Sequence, residues 1–216
     1  MLKIVLMAIV GAVSGYFVPM LAQMLIDYKS KKKNKTYEEH FWYPELWCKL
    51  ICVVLSAGGL GYCGYLNPSW ILLILVGIIW IIGMVTILVD IRIRIIANEV
   101  ILALLGLSIV FRIIYAGSAS LLNSFLTMVV IMFVCILLGK LMGLWKVGAG
   151  DVKLFGIMGF LYGCPDIVYP LIAFVAVLSV FVIGGLKLYK ITLKTMFAMA
   201  PFIVAGMLGG FFFILQ

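Results

Sequence analysis

Eight apolar runs divide this chain, and they constrain its fold more than any other feature. They lie at about residues 2–26, 46–66, 70–89, 98–116, 120–143, 152–163, 166–186 and 195–215. A membrane-spanning helix needs about 20 apolar residues, and only 11% of the 216 residues are charged, against about 25% in soluble domains. We therefore predict one integral membrane domain over residues 1–216, an all-α bundle of about eight transmembrane helices.

The positions of the lysines and arginines predict the orientation of this bundle. The polar segment 27–45 carries five lysines, and the positive-inside rule assigns such a loop to the cytoplasm. Alternation then places both termini outside, with only Lys3 and Arg112 on that side. The other basic residues between the runs fall on the cytoplasmic side: Arg92, Arg94, Lys140, Lys146, Lys187, Lys190 and Lys194. Because this pattern would break without the short sixth run, we retain eight helices in the cytoplasmic membrane.

Composition also limits the partners and cofactors. The net charge of +8 follows from this topology, so we predict contact with the lipid bilayer and no nucleic acid partner. The five cysteines form no CxxC pair, and His40 is the only histidine. Because a lone histidine does not build a zinc site, we predict no metal and no cofactor. The oligomeric state is left open.

Two carboxylates fall at the same predicted depth, at the cytoplasmic edge of the bilayer. Asp90 ends the third apolar run and Asp151 begins the sixth; an acid beside membrane-spanning sequence is costly and usually functional. Asp151 follows Gly148 and Gly150, which let another backbone approach closely. Two acids that share a proton carry out aspartic-protease chemistry, in which one activates water and the other donates to the oxyanion. We therefore predict an aspartic protease site.

Four further polar residues have predicted roles. Asn98 is the expected N-cap of the fourth helix, and Glu99 suits the positive end of that helix. Lys153 pairs with phosphate, lipid or the two acids, with anchoring at the interface as the simplest interpretation. Arg112 is expected to extend its charged group towards the outer headgroups.

The two acids also permit plainer interpretations. In one, Asp90 and Asp151 are ordinary interfacial residues at helix ends, with salt-bridge partners among Arg92, Arg94 and Lys153. In another, the chain is a transporter or assembly protein whose acids bind a proton or cation. The sequence shows no evident inverted repeat and no paired broken helices, which weighs mildly against a transporter.

The run from Gly148 to Leu154, Gly-Ala-Gly-Asp-Val-Lys-Leu, resembles the signature of the GxGD aspartic membrane proteases, and most of all that of the type IV prepilin peptidases. In that family a glycine follows at the position of Gly159. The first catalytic acid of the family is followed by Pro-Asn, where this chain has Ala97 and Asn98. The pair Pro201-Phe202 is similar to one near the start of the family's last helix. The resemblance covers roughly residues 75–216.

The resemblance implies an aspartic endopeptidase that removes a short basic leader from prepilins or pseudopilins at the cytoplasmic membrane face, in type IV pilus assembly or secretion. The implied site has catalytic acids, motif glycines and supporting residues: Asp90, Asp151, Gly148, Gly150, Lys153 and Asn98. Many members also N-methylate the product and carry two CxxC pairs in a longer first loop. This loop has about 19 residues and no such pair, so methylation and S-adenosylmethionine stay open. A presenilin-type protease, which cuts inside a transmembrane substrate, is the alternative.

Overall fold

A computed structural model of the chain describes residues 1–34, 37, 45–66, 69–141, 148–188 and 198–215. Over this part the chain forms eight helices and no strands, which confirms the predicted all-α bundle. In chain order they are α1 (Leu2–Lys33), α2 (Glu45–Leu66), α3 (Trp70–Ile93), α4 (Asn98–Ala116), α5 (Ser120–Leu141), α6 (Ala149–Tyr162), α7 (Val168–Leu188) and α8 (Ala200–Ile214).

The helices differ in whether they are long enough to cross a bilayer. Six of those described, α1 to α5 and α7, are long and apolar enough. The other two have 14 and 15 residues, or roughly 21–23 Å at 1.5 Å per residue, whereas the hydrocarbon core is about 30 Å thick. Most residues of these two short helices, α6 and α8, are buried. They therefore lie inside the bundle rather than along its lipid-facing surface.

The bundle has an interior group of helices and an outer group. Helix α3 packs against α1, α4 and α8, and α6 packs against α4, α5 and α8. The outer helices α5 and α7 expose large apolar side chains, such as Leu122, Phe133 and Val180. In a bilayer these side chains are in contact with lipid, so their exposure costs nothing.

Contacts between helix ends show that the helices alternate in direction. At one end the start of α8 contacts the end of α3, and the start of α4 contacts the start of α6. At the other end Tyr115 of α4 donates to the carbonyl oxygen of Ile214 in α8, at 2.9 Å. Asp90 and Asp151 share the first of these ends, which we call the aspartate end. The side of the membrane that this end faces stays a prediction.

The predicted loop 27–45 begins too early. Helix α1 continues to Lys33, because its polar residues have partners on α4: Lys29 and Lys32 pair with Glu99. Several residues used in the sequence analysis lie outside the described part of the chain, so nothing tests their predicted positions: Lys35, His40, Lys146, Lys190 and Lys194.

The prediction for Arg112 is also wrong. Its side chain is buried, with 3% of its surface exposed, rather than extended to the headgroups. Its Nη1 donates to the carbonyl oxygen of Tyr162 at 2.6 Å and lies 3.9 Å from Asp166 Oδ2. This contact satisfies a carbonyl at the C-terminus of α6, where helical carbonyls lack partners of their own. Arg112 is therefore a structural residue at the end of the bundle opposite the aspartates.

We expect Arg112→Gln to lower the free energy of unfolding by about 1–3 kcal/mol, because the buried carbonyl of Tyr162 loses its charged donor. Unfolding by denaturing detergent, followed by circular dichroism, measures this change. The control is Asp166→Asn, which removes a longer and partly exposed ion pair and should cost less than about 1 kcal/mol. A smaller loss in Arg112→Gln than in Asp166→Asn would contradict the assigned role.

Candidate active site

Asp90 lies in the last turn of α3 with 5% of its surface exposed. Its Oδ2 accepts a hydrogen bond from the backbone N–H of Ala200, at 3.0 Å. Ala200 is the first residue of α8, and a helix N-terminus has free N–H groups and favours a negative charge. Arg94, at the start of the next loop, adds an electrostatic attraction to Asp90. The N–H of Ala200 and the charge of Arg94 therefore favour a carboxylate at Asp90, whereas the burial of its side chain favours the neutral acid.

The contact between Asp90 and α8 was missed by the sequence analysis. Asp90 and Ala200 are 110 positions apart in the chain, so no local pattern relates them. The one available signal is Pro201, since proline is favoured in the first turn of a helix and marks where α8 begins.

Asp151 lies in the first turn of α6 and is half-buried. It interacts electrostatically with Asp90, and both acids lie at the aspartate end of the bundle. Within the described residues neither carboxylate has an ion-pair partner within 4.0 Å. The salt-bridge interpretation of these acids is therefore not supported.

The basic residues near the acids have other partners. Arg92 donates to Gln23 Oε1 at 2.7 Å, and Lys153 donates to Asn98 Oδ1 at 3.2 Å. Asn98 is the first residue of α4 and not its N-cap. The N-cap is Ala97, which makes no side-chain cap. The N-cap prediction was wrong because the Asn98 side chain instead joins the start of α4 to the start of α6.

Ala97 stands where the family that the sequence resembles has proline. Its backbone angles are φ −72° and ψ 130°, which lie in the range that proline adopts. The turn after Asp90 thus has the proline-compatible conformation although the residue is alanine.

The two motif glycines lie at points of close approach. A Cβ atom on Gly148, the N-cap of α6, would lie 2.6 Å from Asp151 Oδ2. A Cβ atom on Gly150 would lie 3.0 Å from Ile96 Cβ, in the loop between α3 and α4. Gly148 therefore leaves space for the Asp151 carboxylate, and Gly150 lets α6 pack against that loop.

The described residues contain no group of three or more His, Cys, Asp or Glu side chains placed to hold a metal ion. The absence of a metal or cofactor stays a prediction. What the site contains is two carboxylates at one end of the bundle, and two acids that approach each other closely enough can share one proton. Such a pair can act as general base and general acid towards a bound water.

One comparison with known proteins gave a match. A family model described as the type IV leader peptidase family matches residues 73–215. The match begins in α3 and ends just after α8, so it contains both acids and both glycines and leaves α1 and α2 outside. No curated protein and no solved structure matched the chain.

Proposed function

The chain belongs to the type IV leader peptidase family, and we propose that it is a membrane aspartic endopeptidase that removes the leader of type IV prepilins or pseudopilins. The observation that carries this proposal is the placement of two electrostatically interacting carboxylates, Asp90 and Asp151, at one end of the bundle. Neither is neutralised by an ion pair among the described residues.

The surroundings of the acids suggest their roles. Asp90 is the ionised member, because the N–H of Ala200 and the start of α8 favour a carboxylate. Asp151 is the neutral member. A water between them gives a proton to Asp90 and attacks the scissile carbonyl carbon, while Asp151 gives its proton to the carbonyl oxygen.

Collapse of the tetrahedral intermediate restores the site. The proton held by Asp90 passes to the leaving nitrogen as the C–N bond breaks. A hydroxyl proton of the intermediate returns to Asp151, and the new carboxyl group forms. Each acid thus ends the cycle in its starting state, and water is the only reactant consumed besides the substrate.

The substrate backbone is proposed to approach Gly148. This glycine is exposed, directly precedes α6 and lies next to the Asp151 carboxyl. An extended peptide can lie against a residue that has no side chain. In the proposed orientation the aspartate end faces the cytoplasm, where a basic leader would be reached.

Co-expression with a prepilin tests the proposed function. The wild-type chain should convert the prepilin to a shorter form on a gel, and mass spectrometry should place the cut at the leader junction. The same mass shows whether the new N-terminus carries a methyl group. Cleavage inside the hydrophobic segment would favour a presenilin-type protease, whereas acid-dependent ion flux without cleavage would favour a transporter.

The proposed orientation makes a separate prediction about labelling. Cys164 is exposed, in the turn between α6 and α7 at the end opposite the aspartates. In intact cells a membrane-impermeant maleimide should label Cys164. In a Cys164→Ser background, Lys153→Cys should be labelled only after the membrane is opened. The reverse pattern would overturn the cytoplasmic location of the site.

A further inference from the structure

The loop between α3 and α4 (residues 94–97) follows the helix that carries Asp90 and packs against the helix that carries Asp151. It begins at Arg94, whose N–H donates to the carbonyl oxygen of Asp90 at 2.9 Å. Further along, Ile96 packs so closely against Gly150 that a Cβ on that glycine would lie 3.0 Å from Ile96 Cβ. The loop therefore contacts the segments that carry the first and the second acid, and its position affects the distance between them.

Helix α1 holds this loop at both of its ends. Before the loop, Arg92 Nη1 donates to Gln23 Oε1 at 2.7 Å. After the loop, Glu99 pairs with Lys29 and, at 2.9 Å, with Lys32. Three side chains of one helix thus bind the residues that flank a four-residue connection.

The ion pair between Lys29 and Glu99 is unusual because its lysine is buried. The Lys29 side chain is 9% exposed, and in the described part of the chain the only other buried charged residues are Asp90 and Arg112. A buried ammonium group is strongly destabilising without a partner. The Glu99 side chain is itself 39% exposed, and the buried Lys29 is the partner that holds it in place.

Helix α1 lies outside the segment that matches the family, residues 73–215, yet its contacts fall on residues inside it. We propose that the aspartate end of α1, through Gln23, Lys29 and Lys32, is a clamp on the α3–α4 loop. The clamp sets the separation of the two catalytic carboxylates, with Lys29 and Glu99 as positioning residues. Its kinetic consequence rests on the proposed function.

Two variants separate positioning from stability. Glu99→Gln breaks both ion pairs and leaves Lys29 buried without a counter-charge, so the protein should be less stable. In the double variant Lys29→Met/Glu99→Gln the buried charge is removed too, and stability should return. Both variants should cleave the prepilin with a kcat about tenfold lower and a KM nearly unchanged, because a small misplacement of catalytic groups lowers the rate of the chemical step.

The matched control is Asp166→Asn, which breaks the ion pair with Arg112 at the end of the bundle opposite the aspartates. This pair lies away from the loop, so kcat should stay at the wild-type value. If the double variant regains wild-type kcat together with stability, the Lys29–Glu99 pair is merely structural and the clamp is refuted.

A second measurement does not need cleavage. In a background without the five native cysteines, oxidation of the pair Ile96→Cys/Gly150→Cys should form a disulfide cross-link between the loop and α6, because Cβ atoms at these two positions would lie 3.0 Å apart. The cross-link should be lost when Glu99→Gln is added, and an unchanged yield would overturn the clamp. If the wild-type chain cleaves no prepilin, the proposed function fails, while the cross-link still decides whether the clamp exists.

Discussion

Asp90→Asn and Asp151→Asn should each lower the rate of leader cleavage by at least about 10³-fold. General acid–base catalysis by a positioned side chain contributes about 10²–10⁴-fold, and an amide can neither accept a proton from water nor donate one as a carboxylic acid does. Because the acids act as a pair, the double variant should be no slower than the slower single variant. Rates of prepilin processing in membranes, normalised to the amount of folded protein, measure these effects.

Asp166→Asn is the matched control for these two variants. Asp166 is also an acid at a membrane edge, but it lies at the opposite end of the bundle, near Arg112. This variant should process the prepilin at the wild-type rate. Complete processing by both Asp90→Asn and Asp151→Asn would refute the aspartic mechanism. The chain would then be a family member that cleaves by a different mechanism.

Gly148→Ala should lower the rate of cleavage by about 10²-fold with little loss of stability. The new Cβ would lie 2.6 Å from Asp151 Oδ2, so the carboxylate must rotate away, and a displacement of about 1 Å in a catalytic group can cost that factor. The fold should tolerate the change. Gly148 has φ −59° and ψ 124°, which alanine adopts freely, and the displaced atom is the mobile end of a side chain.

Gly106→Ala is the control for the glycine variant. Gly106 lies within α4, and a Cβ atom there would meet nothing within 4 Å. Replacement of a helical glycine by alanine generally stabilises a helix, so this variant should be as active as the wild type. If Gly148→Ala is equally active, the position of the Asp151 carboxylate described here does not matter for cleavage.

Whether the sequence predicted a feature correctly depends on the range of the interactions that determine that feature. The apolar runs located all eight helices, because every backbone polar group in a bilayer must be satisfied within a helix or a closed barrel. That constraint acts locally along the chain. The motif around Asp151 likewise indicated the family that the comparison then confirmed.

The errors of the sequence analysis concern polar side chains. Arg112 was placed in the headgroups and Asn98 was made an N-cap, because each assignment used only neighbours in the chain. In the structure their partners are 50 and 55 positions away, at Tyr162 and Lys153. A polar group inside the bundle goes to whichever buried partner satisfies it, and only packing determines that partner.

The sequence by itself therefore determined that this chain is a helical membrane protein with two acids at the ends of apolar helices. The tertiary structure alone decided that the acids interact electrostatically, that α8 contacts Asp90 through Ala200, and that Lys29 and Lys32 of α1 pair with Glu99 just after the α3–α4 loop. The physical reason is that the length and polarity of a helix follow from its own residues, whereas the relative positions of helices depend on contacts between residues far apart in the chain.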